Sequence, residues 1–297
     1  MSTQRPFGSV SVAMVTPFHE DGSLDIDSAV ALADRLVSQG CDALVLSGTT
    51  GESPTTHQPE KDELVREVKA AIAGRAMLVA GAGSNDTAHA VRIAQGSERS
   101  GADGLLVVAP YYNRPSQEGV YQHILAVTEA TDLPIMLYDI PGRTGVKLEL
   151  ETLQRLAAHP RILAVKDATG DVASGFVKMA ATGLAYYSGD DALNYAWLAH
   201  GASGVVSVAG HIIAGGLRSL VTHVDAGDLP AARDEARRQR PLIQAIMGGG
   251  QGAVMAKEAL ALMGVLPSAT LRLPLVGASA SQLAELAQVL RQEGMLS

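Results

Sequence analysis

Short apolar runs, rich in β-branched and aliphatic residues, alternate with longer stretches of helical period along the first three quarters of the chain. Such runs fit strands buried on both faces, and the alternation is that of repeated βα units around a parallel sheet. Eight runs are legible, at 9–18, 42–52, 76–83, 102–115, 133–145, 162–170, 185–191 and 204–210. Helical stretches follow them. The first covers about 27–38, with Val30, Ala33 and Val37 on one face, and the second follows Pro59, with Leu64, Val68 and Ile72 spaced by four. Asn85 and Asp86 offer an N-cap to the third, which ends before Gly101. Others fit 117–130, a stretch through Trp197, and 212–224.

Eight such units in about 225 residues predict an α/β fold, a closed TIM (β/α)8 barrel rather than an open doubly wound sheet. Residues 1–225 form the expected catalytic barrel. From Asp228 the pattern turns wholly helical. Asp228 with Pro230 marks a start, Gly248-Gly249-Gly250 a break, and Leu283, Leu286 and Leu290 the apolar stripe of a final helix. No hydrophilic linker intervenes, so 226–297 is expected as a C-terminal helical domain packed on the barrel.

Composition changes the picture mainly by exclusion. With 297 residues, 47% of them hydrophobic, the chain can bury a large core, and a formal net charge of −8 disfavours a nucleic-acid partner. Arg237, Arg238 and Arg240 read as a solvated helix face. The single cysteine, Cys41, excludes an intrachain disulfide and a cysteine-based zinc site, and the first residues lack an apolar leader. No apolar run approaches the roughly 20 residues of a membrane span. The expected compartment is a reducing cytoplasm.

Candidate chemistry collects where a barrel keeps it, at the C-terminal strand ends. The run ILAVKDATG carries Lys166 where another aliphatic residue would be usual. A lysine there either snorkels its amine to the surface or, held out of water, keeps a lowered pKa and attacks carbonyls. After the second run stands Gly48-Thr49-Thr50-Gly51-Glu52, either an ordinary turn or a cradle of hydroxyls and amides for a carboxylate. After the fourth come Tyr111 and Tyr112, which either pack or shuttle protons. Tyr138 precedes Ile140-Pro141-Gly142-Arg143-Thr144-Gly145, where Arg143 is a surface residue or a fork for a carboxylate. Together these residues suit covalent carbonyl chemistry on keto acids. No histidine stands at a metal-site spacing, and Asp190-Asp191 beside Gly189 reads as a helix cap, so no metal is expected.

Gly48 to Glu52, Val108 to Pro115, Leu137 to Gly145 and Lys166-Asp167-Ala168-Thr169-Gly170 resemble the pyruvate-dependent class I aldolases typified by dihydrodipicolinate synthase, over nearly the whole chain. The threonine pair with the arginine of GRTG favours that family over N-acetylneuraminate lyase, which is similar elsewhere. The resemblance implies that Lys166 forms a Schiff base with pyruvate, so that the covalent imine replaces any cofactor. It implies Tyr138 as proton donor and acceptor, with Thr49 and Tyr112 completing a relay. Thr50 and the backbone of Val206 would hold the pyruvate carboxylate, Gly189 would line the pocket, and Arg143 would receive the carboxylate of L-aspartate 4-semialdehyde. It implies the diaminopimelate route to lysine, and a homotetramer, a dimer of dimers in which Tyr112 reaches into the neighbouring site. A 2-keto-3-deoxy sugar acid aldolase would keep Lys166 and Tyr138 but replace Arg143 with hydroxyl-binding groups.

Two places depart from the family. Gly252-Ala253-Val254-Met255 stands before Lys257 where an Asn-Pro-x-Pro stretch is frequent. Family members inhibited by lysine bind it with a glutamate, an asparagine, a histidine and a tyrosine. Asn85 and Tyr111 match these, but His89 stands for the glutamate and Lys61 for the histidine. Weak or absent lysine feedback is the expectation.

Overall fold

Each apolar run becomes a strand only in its first part, and its polar remainder turns outward at the rim. In the computed structural model, which describes residues 4–296, the strands are β1 (Val10–Ala13), β2 (Ala43–Leu46), β3 (Met77–Gly81), β4 (Gly104–Val108), β5 (Ile135–Asp139), β6 (Ile162–Asp167), β7 (Ala185–Ser188) and β8 (Gly204–Ser207). All pair in parallel in chain order, and β8 closes on β1, completing the (β/α)8 barrel. Around it run α1 (Ile26–Ser38), α2 (Gln58–Ile72), α3 (Thr87–Arg99), α4 (Gln117–Glu129), a one-turn α5 (Pro141–Thr144), α6 (Leu150–Ala157), α7 (Val172–Thr182), α8 (Asn194–Ala199) and α9 (Gly210–Asp225).

Strand alternation decides what faces the barrel axis. Val45, Val79, Leu106, Met136, Ala164 and Val206 fill the interior. Phe7 plugs the N-terminal end, edge-on to Tyr187 at 6.4 Å, and the Phe7 amide donates to the Tyr187 hydroxyl at 3.1 Å. Two residues beyond Met136 stands Tyr138, and two beyond Ala164 stands Lys166. Both therefore point inward one layer nearer the C-terminal mouth, and the two are register partners. The intervening periodicity sends Asp139 and Asp167 outward, where both are buried and the Asp139 carboxylate lies 3.5 Å from the Lys178 amine of α7.

Helix starts follow their caps. Asp86, not Asn85, caps α3 by accepting the Ala88 amide, and Asp228 caps α10 (Leu229–Met247) by accepting the Ala231 amide. After the glycine break come α11 (Gly252–Leu262) and α12 (Ala280–Gln292). The helix α10 packs on α8 and α9, and α11 and α12 pack on α10 and on each other. Three features were not anticipated. Pro241 lies inside α10, the helix through Trp197 is only six residues long, and α9 starts at Gly210 with non-helical torsions at Ile213. Among the described residues no helix is long and apolar enough to cross a membrane.

Leu290 is fully buried where α12 meets the rest of the chain. Leu290→Ala should lower unfolding free energy by about 2–5 kcal/mol in urea melts. A loss below about 1 kcal/mol would mean that α12 is not packed as described.

Candidate active site

The Lys166 amine lies over the face of the Tyr138 ring, 4.2 Å from its centroid, on a residue only 4% exposed. It is therefore not a snorkelling lysine. Burial pushes its pKa down to about 8; the nearby Asp191 carboxylate opposes that shift, and the Arg143 guanidinium reinforces it. Tyr138 is moved the other way. Burial raises its phenol to about 12, with Arg143 and Thr49 pulling it back. Thr49 and this phenol line the same cavity.

Gly189 follows β7 and gives its amide to the Asp167 carbonyl at 2.7 Å. A Cβ at this position would lie 3.0 Å from Lys166 Cε and 3.0 Å from Ala168 Cβ, so only glycine leaves the amine its space. Val206 is buried on the inward face of β8.

The turn after β2 is tied down on both sides. Its first and last residues, Ser47 and Glu52, both take left-handed torsions, with φ of 52° and 54°. Thr16 Oγ1 donates to the Gly51 carbonyl at 2.7 Å, and the Glu52 amide donates to the Thr49 carbonyl at 3.2 Å. Gly81 of β3 lies so close that a Cβ there would stand 2.3 Å from the Ser47 carbonyl oxygen. Thr50 is thereby buried and Thr49 half-buried.

Thr49, Tyr138, Arg143 and Tyr112 line one cavity of about 310 Å³, while Lys166, Thr50, Gly189 and Val206 form no part of its lining. Arg143 is exposed on α5, which Pro141 opens and Gly145 ends in a left-handed cap. Tyr112 is 88% exposed and adopts φ +75°, its amide donating to the Thr144 carbonyl. A bulky residue held in that backbone region is strained. Its phenol protrudes at the mouth of the cavity rather than joining Tyr138 and Thr49 inside.

Two groups that sequence reasoning missed organise the opposite rim. Asp190 does cap the next turn by accepting the Ala192 amide, but Asp191 turns inward. It accepts from Ser207 Oγ, from Asn194 Nδ2 at 3.1 Å, and from the Val208 and Ala209 amides at 2.9 Å each. Thus the carboxylate that opposes the fall of the Lys166 pKa also joins the β7 and β8 loops. His211 is fully buried; its Nε2 accepts the Val15 amide at 3.0 Å and its Nδ1–H donates to the Val208 carbonyl at 2.7 Å. An acidic pair after a glycine and a histidine in an apolar helix start carry no signal for partners so distant in sequence. At the positions that depart from the feedback pattern, the buried Lys61 amine donates to the Ser53 and Thr56 carbonyls at 2.9 and 3.1 Å, and burial pushes its pKa down to about 8. Among the described residues, no three His, Cys, Asp or Glu side chains gather as metal ligands would.

Burial pushes the His211 imidazole down to about 4 from 6.5. Between those pH values the unfolded chain binds a proton that the folded one refuses, so stability is full above pH 6.5 and is lost as pH falls towards 4. The lost amount is about 3 kcal/mol. Urea melts from pH 7 to 4.5 should show a steeper loss for the wild type than for His211→Asn; parallel profiles would contradict the neutral buried imidazole.

The family model described as the dihydrodipicolinate synthetase family matches residues 6–293. A 4-hydroxy-tetrahydrodipicolinate synthase of Corynebacterium jeikeium is 51% identical over 291 residues, 97% of this chain and 96% of its own length. Two solved structures superpose with a TM-score of 0.94. The lysine-bound synthase of Cyanidioschyzon merolae is 40% identical and covers 99% of this chain with 100% of its own. The chloride-inhibited dihydrodipicolinate synthase of Acinetobacter baumannii, complexed with pyruvate, is 34% identical and covers 98% of this chain with 100% of its own. Carrying these motifs on this barrel, the chain belongs to the dihydrodipicolinate synthetase family.

Proposed function

We propose that the chain condenses pyruvate with L-aspartate 4-semialdehyde, as 4-hydroxy-tetrahydrodipicolinate synthases do, in the diaminopimelate route to lysine. The observation that carries this reading is the buried amine of Lys166 against the Tyr138 ring, beside a cavity that also presents Arg143.

The neutral Lys166 amine adds to C2 of pyruvate, and loss of water leaves a protonated imine. The protonated imine acidifies the pyruvate methyl group, which gives a proton to the hydroxyl relay at Tyr138 and leaves an enamine whose carbon bonds to the aldehyde carbon, while the aldehyde oxygen takes up a proton. The amine of the semialdehyde then adds to C2 and expels the Lys166 nitrogen, closing a six-membered ring. Tyr138, whose phenol keeps its proton, gives and recovers protons in these steps through Thr49 and the Tyr112 that a neighbouring copy of the chain lends to the site. Thr50 and the Val206 backbone hold the pyruvate carboxylate, Gly189 leaves room for the imine, and Arg143 takes the carboxylate of the second substrate. The imine itself is the electron sink, so no metal or organic cofactor is assigned a step.

The barrel over 1–225 is taken as the catalytic domain and 226–297 as a helical domain packed on it. The protruding, strained Tyr112 supports a homotetramer built as a dimer of dimers, in which its phenol enters a neighbouring site. The single, buried Cys41 supports a reducing cytoplasm.

The test is a product assay with pyruvate plus aspartate semialdehyde, coupled to the next reductase, beside a panel of sugar aldehydes. Turnover of the semialdehyde alone is expected, and preference for a sugar aldehyde would move the chain to another aldolase activity. Arg143→Ala should cut kcat/KM for the semialdehyde about 100-fold while impairing imine formation much less. Asp191→Asn removes the carboxylate that keeps the Lys166 pKa up, so the pH midpoint of imine formation should move to lower pH, and an upward move would refute that role. Lysine at about 1 mM should leave the rate nearly unchanged, since His89 stands where a carboxylate would meet the ligand's ammonium and leaves it without a counter-charge; strong inhibition would overturn this.

A further inference from the structure

The turn that carries Thr49 and Thr50 ends at Glu52, and Glu52 is held by a side chain 205 residues away. The Lys257 amine of α11 donates to Glu52 Oε1 at 2.5 Å and to the Thr270 carbonyl at 2.7 Å, and both side chains of the pair are 1% exposed. The other carboxylate oxygen accepts the Arg272 amide at 3.0 Å. Arg272 also forks onto Glu60 and reaches the Thr55 and Gly22 carbonyls. The Phe18 ring lies against both cations, 4.3 Å from the Lys257 amine and 4.3 Å from the Arg272 guanidinium carbon. Every polar atom of the Glu52 carboxylate and its ammonium partner is thus spoken for by the segment 257–272.

We propose that Glu52 and Lys257 are positioning residues for the pyruvate site, fixing the Thr49-Thr50 turn from the C-terminal helices. The inference rests on the keto-acid reading above and assigns the helical extension a part in it. Glu52 pays for a left-handed backbone that glutamate rarely adopts, and such a torsion persists only where surrounding contacts over-determine it. Its side chain is fixed by the pair, its amide by the Thr49 carbonyl, and its carbonyl by the Thr55 and Thr56 hydroxyls. Thr16 holds the Gly51 carbonyl and the Ser53 amide donates to the Gly48 carbonyl at 3.2 Å, so the backbone is tied on either side of the two threonines. Hydroxyls and amides can bind a carboxylate well only if their directions are set before it arrives. The Gly252-to-Met255 stretch that departs from the family pattern is the first turn of this same helix, and the amine it carries to the turn is Lys257.

Removing one partner would strand the other as an unpaired buried charge, so the test uses Glu52→Gln with Lys257→Met in one protein, which removes both charges at similar volume. If the pair positions the turn, kcat/KM for pyruvate falls roughly 10- to 100-fold, carried by a higher KM, while KM for the aldehyde stays within about two-fold. The control is Leu290→Ala, which loosens the same helical extension away from the turn and should leave pyruvate KM within about two-fold. A double variant whose only change is a lower Tm, or a smaller fraction of active sites with unchanged pyruvate KM, would make the pair a structural staple and overturn the proposal. Should the double variant fail to fold, Glu52→Gln alone decides: its amide oxygen can accept from only one of the two donors, the Lys257 amine or the Arg272 amide, while its NH2 faces the other; pyruvate KM should rise about three-fold or more, and an unchanged KM overturns the proposal. Wild-type enzyme treated with pyruvate and borohydride separates the two failures. If Lys166 is not modified, the keto-acid reading falls; if it is modified while the variants keep their pyruvate KM, only the positioning role falls.

Discussion

Taking one ammonium out of water is the constraint that shapes the mouth of this barrel. Lys166 points inward because it lies two residues beyond Ala164 on the same face of β6, and Tyr138 points at it by the same rule on β5. Burial favours the neutral amine, Asp191 favours the charged one, and Arg143 again the neutral one. The balance, at about 8, leaves a useful neutral fraction near neutral pH. The same dryness pushes the Tyr138 phenol up to about 12, so that it holds its proton. One environment thereby pushes two neighbouring groups in opposite directions, towards a neutral amine and a protonated phenol.

A dry mouth also requires that every loop end facing it satisfy its own polar groups. Asp191 takes four donors and joins the β7 and β8 loops, while His211 joins the β8 loop to the segment after β1. The turn after β2 is fixed by Thr16 from one side and by Glu52 from the other. Behind the wall, Asp139 and Asp167 are both raised by burial, and Lys178 supplies the positive charge they share. The result is a rim whose polar groups are held by contacts within the chain, the kind of fixing that preorganisation of a site requires.

Much of this was legible in the chain. Strands buried on both faces leave unbroken apolar runs, which is why eight of them could be counted, and a charge inside such a run, Lys166, is conspicuous. The helical extension was readable from Asp228, Pro230 and the three glycines, because caps and breaks are local. What escaped notice depends on distant partners. Asp190 and Asp191 look alike in sequence, yet one caps a turn and the other faces Ser207 and the Val208 amide. Lys257 in an apolar helix gave no hint of Glu52. The runs extend past the strand ends because they were drawn through the polar rim motifs that follow each strand, and Tyr112 could not be told from a packing tyrosine until its ring proved almost wholly exposed.

The central claim is most directly tested by the rate at which pyruvate and borohydride modify the wild-type enzyme, followed across pH by peptide mass. The account predicts a single modified peptide, containing Lys166 and heavier by pyruvic acid less one oxygen, with a rate that rises through a midpoint near pH 8. Modification at another lysine, or a midpoint at the ordinary lysine value of 10.5, would contradict it.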